Sequence, residues 1–255
     1  MQKVKIVSSW TNPGGSTVAH INLCNLLNEN GYDCTFYGPH DWHLDKCKGA
    51  KIQELEASED DIIISHYLQP VKLPCKHILY CHEKDIYPLK QIDTSVFDFI
   101  VYVSNDQRAW HGINHPYKII PPVVEEVRWI DPTSRIAGVI GSVDNNKQTH
   151  VSIEKALEDG YEKIYLFGEV TDLAYFNEYV SPWVSNGKAV LMGHEDDKEK
   201  MYGMVDAVYH ASKSETFGLV EAECLLAGIP YNGPKFSKEI IGKEEILERW
   251  ESLLI

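Results

Sequence analysis

Short apolar runs alternate with amphipathic stretches along the whole chain, and most of the apolar runs are continuous rather than alternating. The first run, residues 4–8, predicts a strand, and the next stretch predicts a helix near residues 16–30 that stops at Gly31. Continuous apolar strands are typical of a parallel sheet that is buried on both faces. Four further strands are predicted in this half, at residues 34–37, 62–66, 77–81 and 99–104.

A proline-rich stretch interrupts this pattern, which then starts again. Residues 119–132, IIPPVVEEVRWIDP, hold three prolines and are the candidate hinge. Two successive βαβ series joined by a crossover predict an α/β protein with two Rossmann-like domains, residues 1–122 and 123–255, whose parallel sheets face a central cleft. Strands are predicted at residues 136–140, 163–167, 189–192 and 207–210, and helices at 151–158, 198–204 and 219–227.

Composition and charge narrow the class of protein. With 255 residues, 44% apolar and 24% charged, the chain has the composition of a soluble globular protein. Because it lacks an apolar run of about 18 residues and a signal-peptide pattern, we expect no membrane span and a cytoplasmic location. Its 24 basic and 38 acidic residues leave a net charge of -14, which disfavours nucleic acid as a partner. Six cysteines without a C-x-x-C pair predict free thiols.

The first candidate site is Gly14-Gly15-Ser16, which lies between the first predicted strand and helix. Glycines let the backbone approach a ligand, and a helix N-terminus presents free amides to an anion. Neither G-x-G-x-x-G nor a Walker A sequence occurs, which removes the main support for nicotinamide or P-loop binding. The alternative interpretation is a tight turn with Ser16 as the helix N-cap.

The second candidate site is residues 212–223, SKSETFGLVEAE, between a predicted strand and a helix that begins near Gly218. A diphosphate at the amides near Gly218 and Leu219 would leave Glu223 one turn away, where it could accept hydrogen bonds from a ribose diol. Glu215, on the loop, would reach the group on the other side of the diphosphate. Acidic residues near a helix N-terminus also stabilise its dipole, which is the structural alternative.

Residues 212–223 resemble the E-x7-E signature of family-4 glycosyltransferases, with Glu215 and Glu223 as the two glutamates. The resemblance implies the GT-B fold, a nucleotide-sugar donor and transfer with retention of configuration. Gly14-Gly15-Ser16 then corresponds to the family's N-domain glycine-rich loop, and His82 to a strand-end histidine close to the transferred sugar.

Residues 141–147, GSVDNNK, resemble the family's G-R-x4-K phosphate loop, with Lys147 at the lysine and Ser142 in place of the arginine. A bidentate guanidinium normally supplies much of the countercharge for a diphosphate, so Ser142 departs from the pattern at a sensitive point. The resemblance implies that Lys147 and the amides of Phe217, Gly218 and Leu219 hold the diphosphate, that Glu223 holds the ribose, and that Glu215 and His82 act at the sugar.

Metal and cofactor sites are not expected. No Asp-x-Asp sequence occurs, and the close pairs His40/His43 and His111/His115 lack neighbouring ligands. His66 follows a buried-looking strand and is interpreted as a core histidine. The donor substrate would therefore be a nucleoside-diphosphate sugar with no further cofactor.

The leading hypothesis is a metal-independent, retaining hexosyltransferase-like enzyme that acts on a carbohydrate or another hydroxyl compound. Three alternatives remain: a GT-B-like protein that binds nucleotide or glycan without catalysis, a glycosyltransferase for a hydroxylated DNA base, and a nucleotide-sugar epimerase. Ser142 motivates the first, the net charge weighs against the second, and the E-x7-E context fits the third poorly. The base, the sugar and the oligomeric state stay open.

Overall fold

The computed structural model describes residues 3–11, 14–39, 45–84, 89–236 and 239–255. They form two compact units, the first from residues 1–124 and 238–255, the second from residues 125–237. Within the described ranges, each unit contains one sheet in which every pairing is parallel.

The first unit is built on a seven-stranded sheet in the order β3-β2-β1-β4-β5-β6-β7. Its centre is the most buried part, since all six residues of β4 are inaccessible. This burial explains why the continuous apolar runs predicted a parallel sheet. The strands are β1 (Lys3–Ser8), β2 (Asp33–Gly38), β3 (Gly49–Lys51), β4 (Asp61–His66), β5 (Lys76–Cys81), β6 (Phe99–Tyr102) and β7 (Tyr117–Ile119).

Helix α1 (Gly15–Glu29) follows β1, and α2 (Asn105–His111) follows β6. The strand predicted at residues 99–104 ends earlier, at Tyr102, because the Ser104 side chain accepts a hydrogen bond from the Gln107 amide and caps α2. Strands β3 and β7 were not predicted, since three residues are too few to show a hydrophobic period.

The second unit is built on a five-stranded sheet in the order β10-β9-β8-β11-β12. Its strands are β8 (Ile136–Ile140), β9 (Lys163–Phe167), β10 (Ala189–Gly193), β11 (Ala207–Tyr209) and β12 (Tyr231–Asn232). Its helices are α3 (Thr149–Glu158), α4 (Leu173–Tyr175), α5 (Ser181–Ser185), α6 (Lys198–Tyr202) and α7 (Leu219–Ala227), with a π-helical turn at Phe176–Val180.

The last helix, α8 (Lys243–Leu254), belongs to the first unit, so the expected second domain of residues 123–255 is wrong for residues 238–255. The buried Trp250 ring lies 5.1 Å from the Tyr80 ring of β5, centroid to centroid. Lys76 Nζ donates to the Leu253 carbonyl at 3.0 Å, and Tyr32 donates to Glu251 at 3.3 Å. Because its apolar face is covered by the first unit, α8 returns to that unit although it lies at the end of the chain.

Replacing Trp250 with alanine is expected to lower the free energy of unfolding by about 3–5 kcal/mol, because a large, fully buried ring is lost and a cavity remains. Urea denaturation followed by far-UV circular dichroism measures the change. Glu248→Ala, an exposed position of the same helix, is the control and should change stability little. Equal effects of the two variants would contradict the packing of α8 on the first unit.

Candidate active site

In the second unit, two loops meet where the strand order reverses. The chain continues from β8 to β9 on one side and resumes at β11 on the other, so the carboxyl ends of β8 and β11 flank the position where open α/β sheets bind ligands. The Lys213 amide donates to the Asn146 carbonyl at 2.8 Å, and Lys213 Nζ donates to Asn145 Oδ1 at 2.9 Å. Asn146 Nδ2 donates to the Ser214 carbonyl at 3.3 Å. These bonds join the loop after β8 to the loop after β11.

Glu215 lies at the centre of this junction. Its Oε1 atom accepts hydrogen bonds from Lys147 Nζ and, at 3.0 Å, from His210 Nε2. Burial would raise the pKa of Glu215, but the His210 hydrogen bond and the Lys147 charge outweigh it and lower the pKa to about 2. Glu215 is therefore a carboxylate throughout the neutral range. The structure brings the predicted residues Lys147 and Glu215 into one ion pair and adds His210, which the sequence interpretation missed.

Ser142, in the position of the expected arginine, contributes to a turn rather than a positive charge. Its Oγ donates to Asp144 Oδ2 at 2.5 Å, while the Lys147 amide donates to Asp144 Oδ1 at 2.8 Å. Thr171 Oγ1 also donates to Asp144, at 3.3 Å. Asp144 thus holds the backbone of the loop that presents Lys147.

Gly168, at the end of β9, is required for the shape of the same loop. Its φ is +142°, and a Cβ atom there would lie 2.1 Å from the Gly141 carbonyl oxygen. No side chain fits at that distance. The backbone at Gly141, after β8, and the backbone at Gly168, after β9, are therefore so close that only glycine fits at position 168.

The helix predicted at residues 219–227 is confirmed with the same bounds as α7. Gly218 adopts the left-handed conformation, with φ +83°, directly before the helix begins at Leu219, and Phe217 is buried. The buried Glu221, in the first helical turn, accepts a hydrogen bond from the Phe236 amide at 2.8 Å. The helix start leaves backbone amides of α7 without intrahelical partners. Glu221 is a residue that sequence reasoning did not single out.

Glu223 is more enclosed than its expected role suggests, since only 4% of it is exposed. Tyr202 donates to Oε2 at 2.6 Å, and Lys198 Nζ donates to Oε1 at 2.5 Å. Lys198 also pairs with Glu125 at 3.2 Å. Burial would lower the pKa of Lys198, but the Glu223 and Glu125 charges raise it, so the ammonium stays charged. Both oxygens of Glu223 are thus engaged by groups that a bound ribose would have to share.

In the first unit, Gly14, Gly15 and Ser16 lie at the start of α1. Gly14 is the N-cap with extended backbone and no capping side chain, and the helix begins at Gly15. The alternative interpretation of Ser16 as the N-cap is therefore wrong, because Ser16 lies inside the first turn. Among the described residues, no atom lies within 4 Å of the position that a Cβ at Gly14 would take.

His82 follows β5 and packs against other aromatic rings. The centroids of Tyr80, His20 and His66 lie 4.2, 4.8 and 5.3 Å from that of His82. Burial and the neighbouring His66 lower the pKa of His82 well below its usual value. Its Nε2 atom is buried and has no hydrogen-bond partner among the described residues. His82 is thus a neutral imidazole with one buried ring nitrogen that the described residues leave without a partner.

His20 and His77 are also held neutral in the first unit. Burial, with His66 and His82 nearby, lowers the pKa of His20 well below its usual value. Burial lowers the pKa of His77 to about 4 against the opposing charge of Asp98. Both side chains are almost wholly inaccessible. The interior of this unit therefore resists protonation at three positions.

Two further findings concern metals and membranes. Within the described ranges, no group of three or more His, Cys, Asp or Glu side chains is arranged to hold a metal ion. No helix in the same ranges is long and apolar enough to cross a membrane.

The six cysteines are free thiols, as predicted.

Comparison with solved structures identifies the fold. Anabaena HepE, solved in complex with UDP and glucose, superposes with a TM-score of 0.68 at 14% identity, over 93% of this chain and 82% of that one. WaaG, a glycosyltransferase involved in lipopolysaccharide biosynthesis, superposes with a TM-score of 0.63 at 12% identity, over 98% of this chain and 90% of that one. AviGT4, a glycosyltransferase involved in avilamycin A biosynthesis, superposes with a TM-score of 0.62 at 16% identity, over 98% of this chain and 88% of that one.

No protein-family profile matches the sequence, and no curated protein matches it either. The two parallel α/β units and the structural neighbours together show that the chain has the GT-B fold, as the sequence predicted.

Proposed function

We propose that this chain is a glycosyltransferase that moves a hexose-like sugar from a nucleoside-diphosphate donor to an acceptor hydroxyl, with retention of configuration and without a metal ion. The observation that carries the proposal is the ion pair of Lys147 and Glu215 at the strand-order reversal of the second sheet. A lysine, a carboxylate and a glycine-led helix start together match the phosphates and the hydroxyl groups of a nucleotide sugar. HepE has been solved with UDP-glucose, which is consistent with this substrate class.

Each residue then has a defined task in the second unit. Lys147 and the amides near Phe217, Gly218 and Leu219 bind the diphosphate and stabilise the charge that develops on it as the bond to the sugar breaks. Glu215, held anionic by its partners, accepts hydrogen bonds from sugar hydroxyls and does not serve as an acid. Glu223 accepts hydrogen bonds from the ribose.

The bond changes balance without an added reagent. The bond between the anomeric carbon and the diphosphate oxygen breaks, and its electron pair stays with the diphosphate. The acceptor oxygen forms the new bond to the same carbon, and the acceptor proton leaves with the diphosphate. In the first unit, Gly14, Gly15, Ser16 and His82 are the proposed contacts to the phosphate, the acceptor or the sugar.

One observation favours a second candidate, a protein that binds a nucleotide or a glycan without catalysis. Ser142 supplies no positive charge, and the Lys147 ammonium is already neutralised by Glu215. For turnover, the Lys147 ammonium must give up part of its contact with Glu215 and contact the diphosphate instead. Incubation with UDP-, GDP- and ADP-sugars separates the two candidates, because an active enzyme releases nucleoside diphosphate, whereas a binding protein only gains stability.

Substituting Glu223 with glutamine is expected to weaken nucleoside-diphosphate binding by about 5- to 13-fold, because the ribose hydroxyls then donate to a neutral amide oxygen, and a hydrogen bond to a charged group contributes about 1–1.5 kcal/mol more than a neutral one. Glutamine keeps the side-chain shape beside Tyr202 and Lys198, whereas alanine would leave both without their partner. Calorimetric titration with UDP, GDP and ADP measures the change. Glu154→Gln, an exposed position on α3, is the matched control. Unchanged affinity in Glu223→Gln would exclude the ribose role.

A further inference from the structure

Two side chains hold the Glu215 carboxylate, and both donate to the same oxygen. Lys147 Nζ and His210 Nε2 contact Oε1, the histidine at 3.0 Å. Because an ionised carboxylate has no proton to donate, the proton of the second hydrogen bond belongs to His210 Nε2. Glu215 therefore keeps one donor on this oxygen when the other one leaves.

The backbone of His210 is fixed by the neighbouring strand. His210 directly follows β11, and its amide donates to the Asn232 carbonyl of β12 at 2.9 Å. Gly233 lies so close that a Cβ atom there would be 2.6 Å from the His210 carbonyl oxygen. Only glycine fits at that distance, so the chain after β12 packs directly on the backbone of His210.

The His210 ring is enclosed as well, since only 5% of the side chain is exposed. Its centroid lies 6.3 Å from that of Tyr231 and 6.1 Å from that of Phe236, whose ring is nearly perpendicular to it. The Phe236 amide donates to Glu221, which anchors Phe236 to α7. Because these contacts limit rotation of the imidazole, Nε2 is held beside Glu215.

Lys147 is the more mobile of the two donors. It lies on the loop after β8, and 24% of its side chain is exposed. Its ammonium ends a flexible four-carbon stem, which here lies along Gly141. In the proposed reaction this ammonium turns from Glu215 to the diphosphate. Its contact with Glu215 therefore weakens at the stage when the carboxylate has to hold the sugar hydroxyls.

We propose that His210 is a positioning residue that keeps the Glu215 carboxylate in place when Lys147 turns to the diphosphate, an inference that rests on the proposed glycosyl transfer. His210 touches neither the sugar nor the diphosphate and acts through Glu215. The orientation of Glu215 determines how well the bound sugar is aligned for transfer. Lys147 thus responds to the charge on the diphosphate, while His210 maintains the contact to the sugar.

The test removes and then restores the donor at position 210 in the full chain. His210→Leu removes it, whereas His210→Gln places an amide Nε2 donor at a similar reach. With the UDP-, GDP- or ADP-sugar that the wild type hydrolyses, we expect His210→Leu to lower kcat at least about tenfold, because a hydrogen bond to a charged group is lost. His210→Gln should recover most of this loss. His115→Leu is the matched control, since His115 bonds to the Phe97 carbonyl in the first unit.

Two further measurements distinguish positioning from a general structural role. The free nucleoside diphosphate carries no sugar, so its affinity in calorimetric titration should be the same in the wild type and in His210→Leu. In a Glu215→Ala background, His210→Leu should lower the turnover of radiolabelled donor no further, because a residue that acts through Glu215 has no effect once that carboxylate is gone.

The outcomes separate this inference from the proposed function. Wild-type kcat in a folded His210→Leu variant, an equal loss of nucleoside-diphosphate affinity and kcat, or additive effects with Glu215→Ala would overturn the inference while the proposed function stands. A wild type that releases no nucleoside diphosphate from any of these sugars would overturn the proposed function, and the inference falls with it. Thermal melting establishes that each variant is folded. His210→Asn, whose shorter side chain does not reach Glu215, takes the place of His210→Leu if leucine prevents folding.

Discussion

Replacing Lys147 with methionine is expected to reduce the rate of sugar transfer by about 100- to 1000-fold, the loss typical of removing one preorganised donor from a developing negative charge. Methionine keeps the unbranched stem that lies against Gly141 and removes only the ammonium. Because Ser142 supplies no charge, the amides of α7 would have to stabilise the diphosphate with one cation fewer. Steady-state kinetics of nucleoside-diphosphate release measures kcat and KM.

A matched lysine distinguishes this effect from a general loss of charge. Lys155, exposed on α3, is replaced with methionine in the control, which should retain wild-type kinetics. Lys147→Met also removes a hydrogen bond to Glu215, so its folding is verified by thermal melting. Wild-type turnover in a folded Lys147→Met variant would contradict the proposed role of this residue.

Acidification from pH 6.5 to pH 5 is expected to lower the free energy of unfolding of the protein. His20, His77 and His82 are neutral in the folded chain because their pKa values are lowered, by burial above all. The unfolded chain binds these protons from about pH 6.5 downward, so each histidine removes about 1.4 kcal/mol per pH unit as the pH falls. Urea denaturation at a series of pH values measures the slope.

The two units should respond in different pH windows. The lowered pKa of Glu215, about 2, gives the second unit stability that is present above about pH 4.5 and is lost as the pH falls toward 2. His20→Phe is the sharpest test for the first unit, since neither ring nitrogen of His20 has a hydrogen-bond partner among the described residues. In this variant, the slope of the free energy of unfolding against pH should decrease above pH 5 by the contribution of one bound proton. A slope identical to that of the wild type would show that His20 does not contribute.

The central strands of both sheets could be predicted from the sequence because burial on both faces requires continuous apolar residues. In β4, for example, three consecutive isoleucines at 62–64 indicate a buried strand without any tertiary information. The return of α8 to the first unit could not be predicted in this way. Its pattern shows an apolar face around Trp250, but the surface that covers the face is formed by Tyr80, 170 residues earlier in the chain.

The candidate site was predicted in part, for a similar reason. The positions of Glu215 and Glu223 follow from a local spacing around a helix start, whereas their partners come from other elements. His210 directly follows β11, five residues before Glu215, and carried no separate signal. Lys198 and Tyr202 are four residues apart on α6, so they share a helix face, yet nothing local relates that face to Glu223.

The sequence alone determined the α/β class and the two parallel sheets, because the hydrophobic period is a local property, and the resemblance to family-4 glycosyltransferases supplied the candidate residues of the donor site. Only the tertiary structure decided which charged side chains contact those residues. Lys147 and Glu215 lie 68 positions apart and form an ion pair because β8 and β11 are neighbours at the reversal of strand order. The hydrogen bonds of His66 with Ser8 and Glu83 arise likewise from the pairing of β1 with β4 and of β4 with β5. Such contacts depend on strand order, which hydrophobic patterning does not encode.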